Sequence, residues 1–253
     1  DKKIIETVFT RIQQHHDILR ATYHKDLYKK ELSQIIQGLD YPLSLLEYDL
    51  KNQDNCFTEL SNKINEIQAG IDLEKGPLMR LGLFHLDDGD RLLIVIHHLV
   101  VDGVSWRILF EDIEALYSQH LKGEELVLPP KTDSFKHWSE KLSLYADSKT
   151  FLREKNYWDQ LASHIIPGIR KDFEIEDNKV KDTRSVSFTL GEEETNLLLT
   201  KVNRAYNTEI NDILLTALGL GLKKTFALDQ VLIDLEGHGR EDILEGIDIS
   251  RTV

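Results

Sequence analysis

Two short runs carry the residue types from which chemistry could be built. The first is His97-His98-Leu99-Val100-Val101-Asp102-Gly103, directly after the unbroken apolar run Leu92 to Ile96. An imidazole, with an ordinary pKa near 6.5, can exchange protons around neutral pH. Neighbouring side chains on a regular strand point to opposite faces, so His97 and His98 cannot both reach one metal ion there. Parity groups His98 with Leu92, Ile94 and Ile96, and His97 with Leu93 and Val95. One histidine can then serve the packing while the other faces a cavity. Asp102 lies across a bend closed by Gly103, where it either orients an imidazole or braces the loop through another partner. The plain alternative is a core histidine beside an Asp-Gly turn.

The second run is Glu236-Gly237-His238-Gly239-Arg240-Glu241, at the end of the alternating segment Val231, Ile233, Leu235. A carboxylate ending an apolar strand is costly to bury unless it is paired or protonated. Gly237 and Gly239 allow a sharp turn or a close backbone approach to a ligand. The run fits neither the dinucleotide fingerprint nor the P-loop. No Gly-x-Ser-x-Gly is present, so Ser105 is not a nucleophile elbow. Cys56 is the only cysteine, which excludes an intrachain disulfide and a cysteine-based zinc site, and no metal centre is expected.

The elements that must position these runs are legible as periodicities. Residues 3–18 carry Ile4, Ile5, Val8, Phe9 and Ile12 at helical spacing, as do Phe57, Leu60, Ile64 and Ile67. Met79 to Phe84 and Leu92 to Ile96 flank Asp87-Asp88-Gly89-Asp90, which predicts a hairpin. The second of those strands is apolar on both faces and is expected centrally in a sheet covered on each side. After Gly103 the period becomes helical through Trp106, Leu109, Phe110, Ile113, Leu116 and Tyr117. Further helical segments hold Phe135, Trp138 and Leu142, then Tyr157 and Trp158. A polar connector runs from Ser163 to Thr183. A strand is expected at Val186, Phe188 and Leu190, helices from Gly191 to Val202 and from Asn207 to Lys224, and a last strand at Val231, Ile233 and Leu235.

Composition sets the outer bounds. The 253 residues carry 31 Lys plus Arg against 44 Asp plus Glu, a net charge of −13, with 41% hydrophobic residues. That is the composition of a soluble globular protein with ample apolar sequence for a core. The acidic balance argues against nucleic acid and against anionic membrane surfaces as partners. No apolar run reaches the roughly 20 residues of a membrane span, and no signal peptide is visible, so the cytoplasm is the expected compartment. The chain opens at Asp1 and closes at Arg251-Thr252-Val253, and neither end reads as a natural terminus.

Taken together, His98-x-x-x-Asp102-Gly103, followed by Val104-Ser105-Trp106-Arg107, and Glu236-Gly237-His238-Gly239-Arg240-Glu241 resemble the epimerization domains of nonribosomal peptide synthetases. The His-His-x-x-x-Asp-Gly element is common to the wider condensation-domain superfamily, and the Glu-containing element is particular to the epimerization branch. Further similarities are His15-His16-Asp17-Ile18-Leu19-Arg20, Gly76-Pro77-Leu78, Thr132-Asp133-Ser134-Phe135 with Trp138, and Asn211-Asp212-Ile213-Leu214-Leu215-Thr216-Ala217. An earlier Pro-Ile-Gln motif of the family is missing, and Arg251-Thr252-Val253 resembles the opening of a later one.

The resemblance implies an α/β fold of two lobes, each like a chloramphenicol acetyltransferase subunit. Residues 1–175 would form the N-terminal lobe, without its start, and 176–253 the beginning of the C-terminal lobe. It implies inversion, L to D, at the Cα of an aminoacyl or peptidyl thioester. The phosphopantetheine arm of a peptidyl carrier domain would supply that thioester, so the domain itself binds no cofactor. Flanking adenylation and condensation modules are the other implied partners. His98 and Glu236 would be the acid/base pair, Asp102 an orienting or structural residue. His97, Gly103, Gly237, His238, Gly239 and Arg240 would shape the site. The alternatives are a condensation domain joining two carrier-bound substrates and an inactive scaffold that docks a carrier.

Overall fold

A computed structural model describes residues 1–253 apart from Leu27, Lys29, Pro167, Ile175, Glu176 and Asn178, and apart from the side chains of Ala205 and Tyr206. The chain divides into two compact units: Asp1–Leu152 with Gly237–Val253, and Arg153–Glu236. The lobe boundary expected between residues 175 and 176 falls on residues outside the described set.

The first unit begins with α1 (Lys2–His15), whose N-terminus is capped by the Asp1 carboxylate accepting from the Lys3 N–H at 2.9 Å. Its far end is capped from the His15–Arg20 motif. Arg20 is buried and its Nη1 donates to the carbonyls of Gln13 and Gln14, while Nε donates to the Gln37 carbonyl. Strands β1 (Ala21–Asp26) and β2 (Glu31–Ile36) follow as an antiparallel pair that places Tyr23 opposite Gln34. β3 (Ser44–Asp49), α2 (Cys56–Ala69), β4 (Met79–Leu86) and β5 (Gly89–Ile96) come next. They build a sheet of order β3-β4-β5, parallel between β3 and β4 and antiparallel between β4 and β5. α3 (Gly103–Lys122), α4 (Phe135–Ala146) and α5 (Lys149–Leu152) complete the run.

β4 is the central strand, and its parity explains the packing. Met79 and Leu81 face a core built with Val8, Phe9 and Ile12 of α1 and Ile108, Leu109 and Leu116 of α3. On the other face Phe84 and Leu86 pack with Ile67 of α2. Gly82 lies on that face, where a Cβ would stand 2.7 Å from Ile67 Cδ1, so its missing side chain sets how closely α2 approaches. The hairpin of β4 and β5 forms where the sequence predicts it, but the central position does not belong to Leu92–Ile96. Among the described residues β5 pairs on one side only, and its residues are half-buried or exposed.

A carboxylate–imidazole–carboxylate group crosses all three strands. His85 of β4 donates from Nδ1 to Asp90 of β5 at 2.7 Å and from Nε2 to Glu47 of β3 at 3.0 Å. Lys2 Nζ lies 3.3 Å from the other oxygen of Glu47. With a carboxylate on each ring nitrogen, the Glu47 and then the Asp90 hydrogen bond hold the His85 pKa above its ordinary 6.5. The same bonds hold Glu47 and Asp90 below their ordinary values. The raised histidine stabilises the fold fully below pH 6.5, and that contribution is lost as pH rises through the higher folded value. The depressed carboxylates stabilise above their ordinary range and lose that contribution as pH falls through their folded values. Replacing His85 by Gln is therefore expected to lower Tm most between those limits. The gap from wild type should close as the pH is raised past the elevated histidine value, as thermal melts across pH would show.

The second unit holds α6 (Lys155–Ser163), a 3-10 turn at Val180–Asp182, α7 (Glu192–Leu197) running into a π-helical turn at Leu198–Val202, α8 (Asn203–Tyr206) and α9 (Ile210–Phe226). The helices expected over 191–202 and 207–224 are present. The two expected strands are not: Val186, Phe188 and Leu190, like Val231, Ile233 and Leu235, lie in irregular chain. Val186 is 98% exposed and Phe188 88%. Alternating apolar residues suit a strand face, but a strand exists only with a neighbour to take its hydrogen bonds, and none is paired to these segments among the described residues.

Candidate active site

The His97–Gly103 run lies where β5 ends. The regular strand stops at Ile96 and a 3-10 turn covers His98–Val100, so strand parity does not extend to His98. His97 remains extended, and its N–H donates to the Leu78 carbonyl at 2.9 Å. Its Nδ1 accepts from the Leu99 N–H at 3.1 Å, so this first histidine is engaged with its own loop. His98 is exposed, and its imidazole has no hydrogen-bond partner among the described residues. Both of its ring nitrogens are thus uncommitted among the described residues.

Asp102 is the N-cap of α3. Its Oδ1 accepts from the Ser105 N–H and from the Ser105 hydroxyl, each at 2.7 Å, and the Asp102 N–H donates back to Ser105 Oγ at 3.2 Å. This reciprocal box fixes the first turn of the helix that starts at Gly103. Arg240 reaches the same carboxylate from 138 residues away in sequence, with Nε donating to Oδ2 at 2.7 Å and Nη2 to Oδ1 at 2.9 Å. Nη2 also donates to Ser105 Oγ at 2.9 Å, and Nη1 donates to the carbonyls of Ile249 and Thr252. A bidentate guanidinium–carboxylate pair has a defined geometry, which a lysine would not reproduce. Burial pushes the Asp102 carboxyl upward, but the Arg240 and Ser105 hydrogen bonds outweigh it and hold the pKa below the ordinary value.

These contacts give Asp102 bracing partners, and none of them is an imidazole. The residue is an anionic anchor whose oxygens are already occupied. Replacing Arg240 by Met should leave this carboxylate with Ser105 as its partner, raise its pKa and destabilise the fold by about 2–4 kcal/mol. A 13C titration of the Asp102 carboxyl would follow the pKa and urea melts the stability. Wild type should lose its advantage over the variant as pH falls through the depressed Asp102 value, where the variant's own stability should change less.

The remaining residues of the second run are placed as follows. Glu236 ends the second unit and is exposed, in irregular chain. The expectation of a carboxylate buried at the end of an apolar strand is therefore not met, because segment 231–235 has no strand partner among the described residues. Gly237 opens the segment that belongs to the first unit, and His238 is exposed with its Nδ1 accepting from the Arg240 N–H at 2.9 Å. Gly239 has φ +70°, a left-handed turn that favours glycine. A cavity of about 210 Å³ in the first unit is bordered by Asp102, His238, Gly239 and Arg240 on one side and by Phe135 and Trp138 of α4 on another.

The segment after Gly239 is fastened to the first unit at several points. Asp133 and Asp248 bond to each other, with the Asp133 N–H to the Asp248 carbonyl at 2.8 Å and the Asp248 N–H to Asp133 Oδ2 at 2.9 Å. Thr252 donates its hydroxyl to the Asp133 carbonyl. Arg251 pairs with Glu111 at 3.1 Å and with Oδ1 of the buried Asp112, whose Oδ2 accepts from His16 Nε2 at 2.7 Å. His15, His16 and Asp112 offer ligand atoms within 4.8 Å of one another. Both Asp112 oxygens are already taken by His16 and Arg251, so the trio reads as a hydrogen-bond network.

Ser105 has a bracing role that the two motifs do not announce, since the absence of Gly-x-Ser-x-Gly only excludes it as a nucleophile. The pattern Asp102-x-x-Ser105 at the start of a helical period is the capping signal that could have found it. No local signal joins Arg240 to Asp102.

Residues 1–253 match the model of a family described as the condensation domain. Over its full length the chain is 47% identical to tyrocidine synthase 2 of Brevibacillus parabrevis and 47% identical to gramicidin S synthase 1 of Brevibacillus brevis. It spans 7% of the first and 23% of the second. The crystal structure of the epimerization domain from the third module of tyrocidine synthetase B matches 100% of the chain at a TM-score of 0.88 and 47% identity, and the chain covers 56% of that structure. The first condensation domain of the calcium-dependent antibiotic synthetase, in complex with substrate analogue 2a, matches 91% of the chain at a TM-score of 0.64 and 18% identity, a likeness of fold alone.

Proposed function

The chain belongs to the condensation-domain family, and from that premise we propose that it is part of an epimerization domain of a nonribosomal peptide synthetase. The observation that carries this reading is the likeness to a solved epimerization domain over the whole chain, at 47% identity. The Glu236–Glu241 run supports the same branch. The substrate is an aminoacyl or peptidyl thioester on the phosphopantetheine arm of a carrier domain, and the reaction inverts its Cα from L to D. In this reading residues 1–175 belong to the N-terminal lobe and 176–253 open the C-terminal one.

The chemistry needs two proton-transfer groups on opposite faces of Cα. One removes the α-proton, leaving its electron pair in the enolate of the thioester; the other delivers a proton to the opposite face. His98 and Glu236 fill these two roles. The ring nitrogens of His98 are uncommitted among the described residues, so its imidazole has a free nitrogen to give or take a proton. Asp102, held by Arg240 and Ser105, fixes the start of α3 just after the histidine turn. His97, Gly103, Gly237, His238, Gly239 and Arg240 shape the loops around them.

The test is isotopic. A carrier loaded with an L-aminoacyl thioester is incubated with the domain in deuterated water, and the residue is then hydrolysed off. Epimerization gives D product bearing α-deuterium. Retention of the α-proton, with amide formed to a second loaded carrier, would instead assign condensation.

A further inference from the structure

We propose that Tyr23 is a positioning residue for His98, which rests on the assignment of His98 to proton transfer. Tyr23 belongs to the β1–β2 hairpin, outside both runs that carry the chemistry. Its ring packs against the main core, and its N–H donates to the Leu73 carbonyl at 2.8 Å, so the residue is fixed at its base. Gln34, directly opposite on β2, donates from Nε2 to the Tyr23 hydroxyl oxygen at 2.8 Å. With that oxygen accepting from Gln34, the hydroxyl proton points away. It is donated to the Leu99 carbonyl at 3.0 Å, 76 residues along the chain.

Leu99 is the residue after His98, and both of its backbone polar groups are taken by side chains. Its N–H, in the peptide plane that begins at His98, is held by His97 Nδ1 at 3.1 Å. Its carbonyl, in the next plane, is held by Tyr23. Leu99 itself is 48% exposed, while the next residue, Val100, is buried in the core and its N–H donates to the His97 carbonyl at 3.0 Å, closing the turn. Together with that backbone bond, the two side-chain contacts to Leu99 set the backbone at His98 and hence the direction in which its imidazole leaves the loop. Burial raises the Tyr23 pKa, against a smaller lowering by the Gln34 bond, which keeps the phenol a donor throughout the neutral range.

Tyr23→Phe keeps the ring and removes only the hydroxyl. In the full chain, amide hydrogen exchange at Leu99–Val101 should accelerate about tenfold, and kcat for inversion of a carrier-bound substrate should fall about tenfold at unchanged KM. Protection elsewhere in the core should stay at wild-type levels, which separates local positioning from a general loss of stability. Gln34→Leu, which leaves the hydroxyl free to turn, should fall between wild type and Tyr23→Phe on both measures. Unchanged exchange at Leu99–Val101 in Tyr23→Phe would overturn the proposal, as would wild-type kcat despite faster exchange. If wild type itself performs no inversion, the epimerase reading fails. The exchange measurement still decides whether Tyr23 holds the turn, and amide formation between two loaded carriers then supplies the kcat comparison.

Discussion

Replacing His98 by Ala is expected to suppress L-to-D inversion by about 10²–10⁴-fold, the usual contribution of a positioned acid or base, and Glu236→Gln to do the same. Their partial reactions should differ. A variant that keeps the group on the L face can still remove the α-proton and return a deuteron to that same face. It should wash deuterium into L-loaded carrier with retention and leave D-loaded carrier untouched. The variant lacking that group should do the reverse. Running both variants from both enantiomers therefore assigns each residue to a face. Wild-type inversion by both variants would remove the assignment, and loss of exchange from both enantiomers in both variants would mean that the two groups act only together.

The largest expected effect on stability is at Asp112, in the middle of α3. Its carboxylate is 1% exposed and lies between His16 and Arg251. Cutting it back to Ala leaves a buried imidazole and a guanidinium facing each other without an anion, at an expected cost of about 3–5 kcal/mol. Glu111, the neighbouring partner of Arg251, is more than half exposed, and Glu111→Gln should cost under about 1 kcal/mol. Urea denaturation followed by tryptophan fluorescence separates the two, since Trp106 and Trp138 both belong to the unit in question. Equal midpoints for the two variants would show that the buried network contributes nothing beyond a surface pair.

The parts of this molecule that could be read from the sequence are those whose signal is local. α2, α3 and the β4–β5 hairpin follow directly from apolar period and from the Asp-Gly turn. β1 and β2 carry no such signal: Thr22, His24, Ser33 and Gln34 interrupt any apolar alternation, and the pairing is made by the backbone and by side-chain hydrogen bonds such as Gln34 to Tyr23; in β3 the adjacent Leu45 and Leu46 break the alternation. The opposite error occurs at Val186–Leu190 and Val231–Leu235, where alternation is present and, among the described residues, the ladder is not. Pairing is a property of two segments, and one segment cannot announce it. The same limit applies at the site. The types and positions of His98, Asp102 and Arg240 were legible, whereas the bidentate contact between Asp102 and Arg240 depends on a chain return 138 residues long.

Finally, Glu236 closes one compact unit while Gly237 opens a segment of the other, and Arg240 is held fast four positions on. An extended chain covers at most about 3.5 Å per residue, so those four steps cannot exceed roughly 14 Å between the Cα atoms of Arg240 and Glu236. The Glu236 backbone is thus tied to the anchored Arg240 by the chain itself, with two glycines supplying the slack. Lengthening that tie by inserting residues between Gly237 and His238 would loosen the proposed acid/base group from its anchor without altering either side chain.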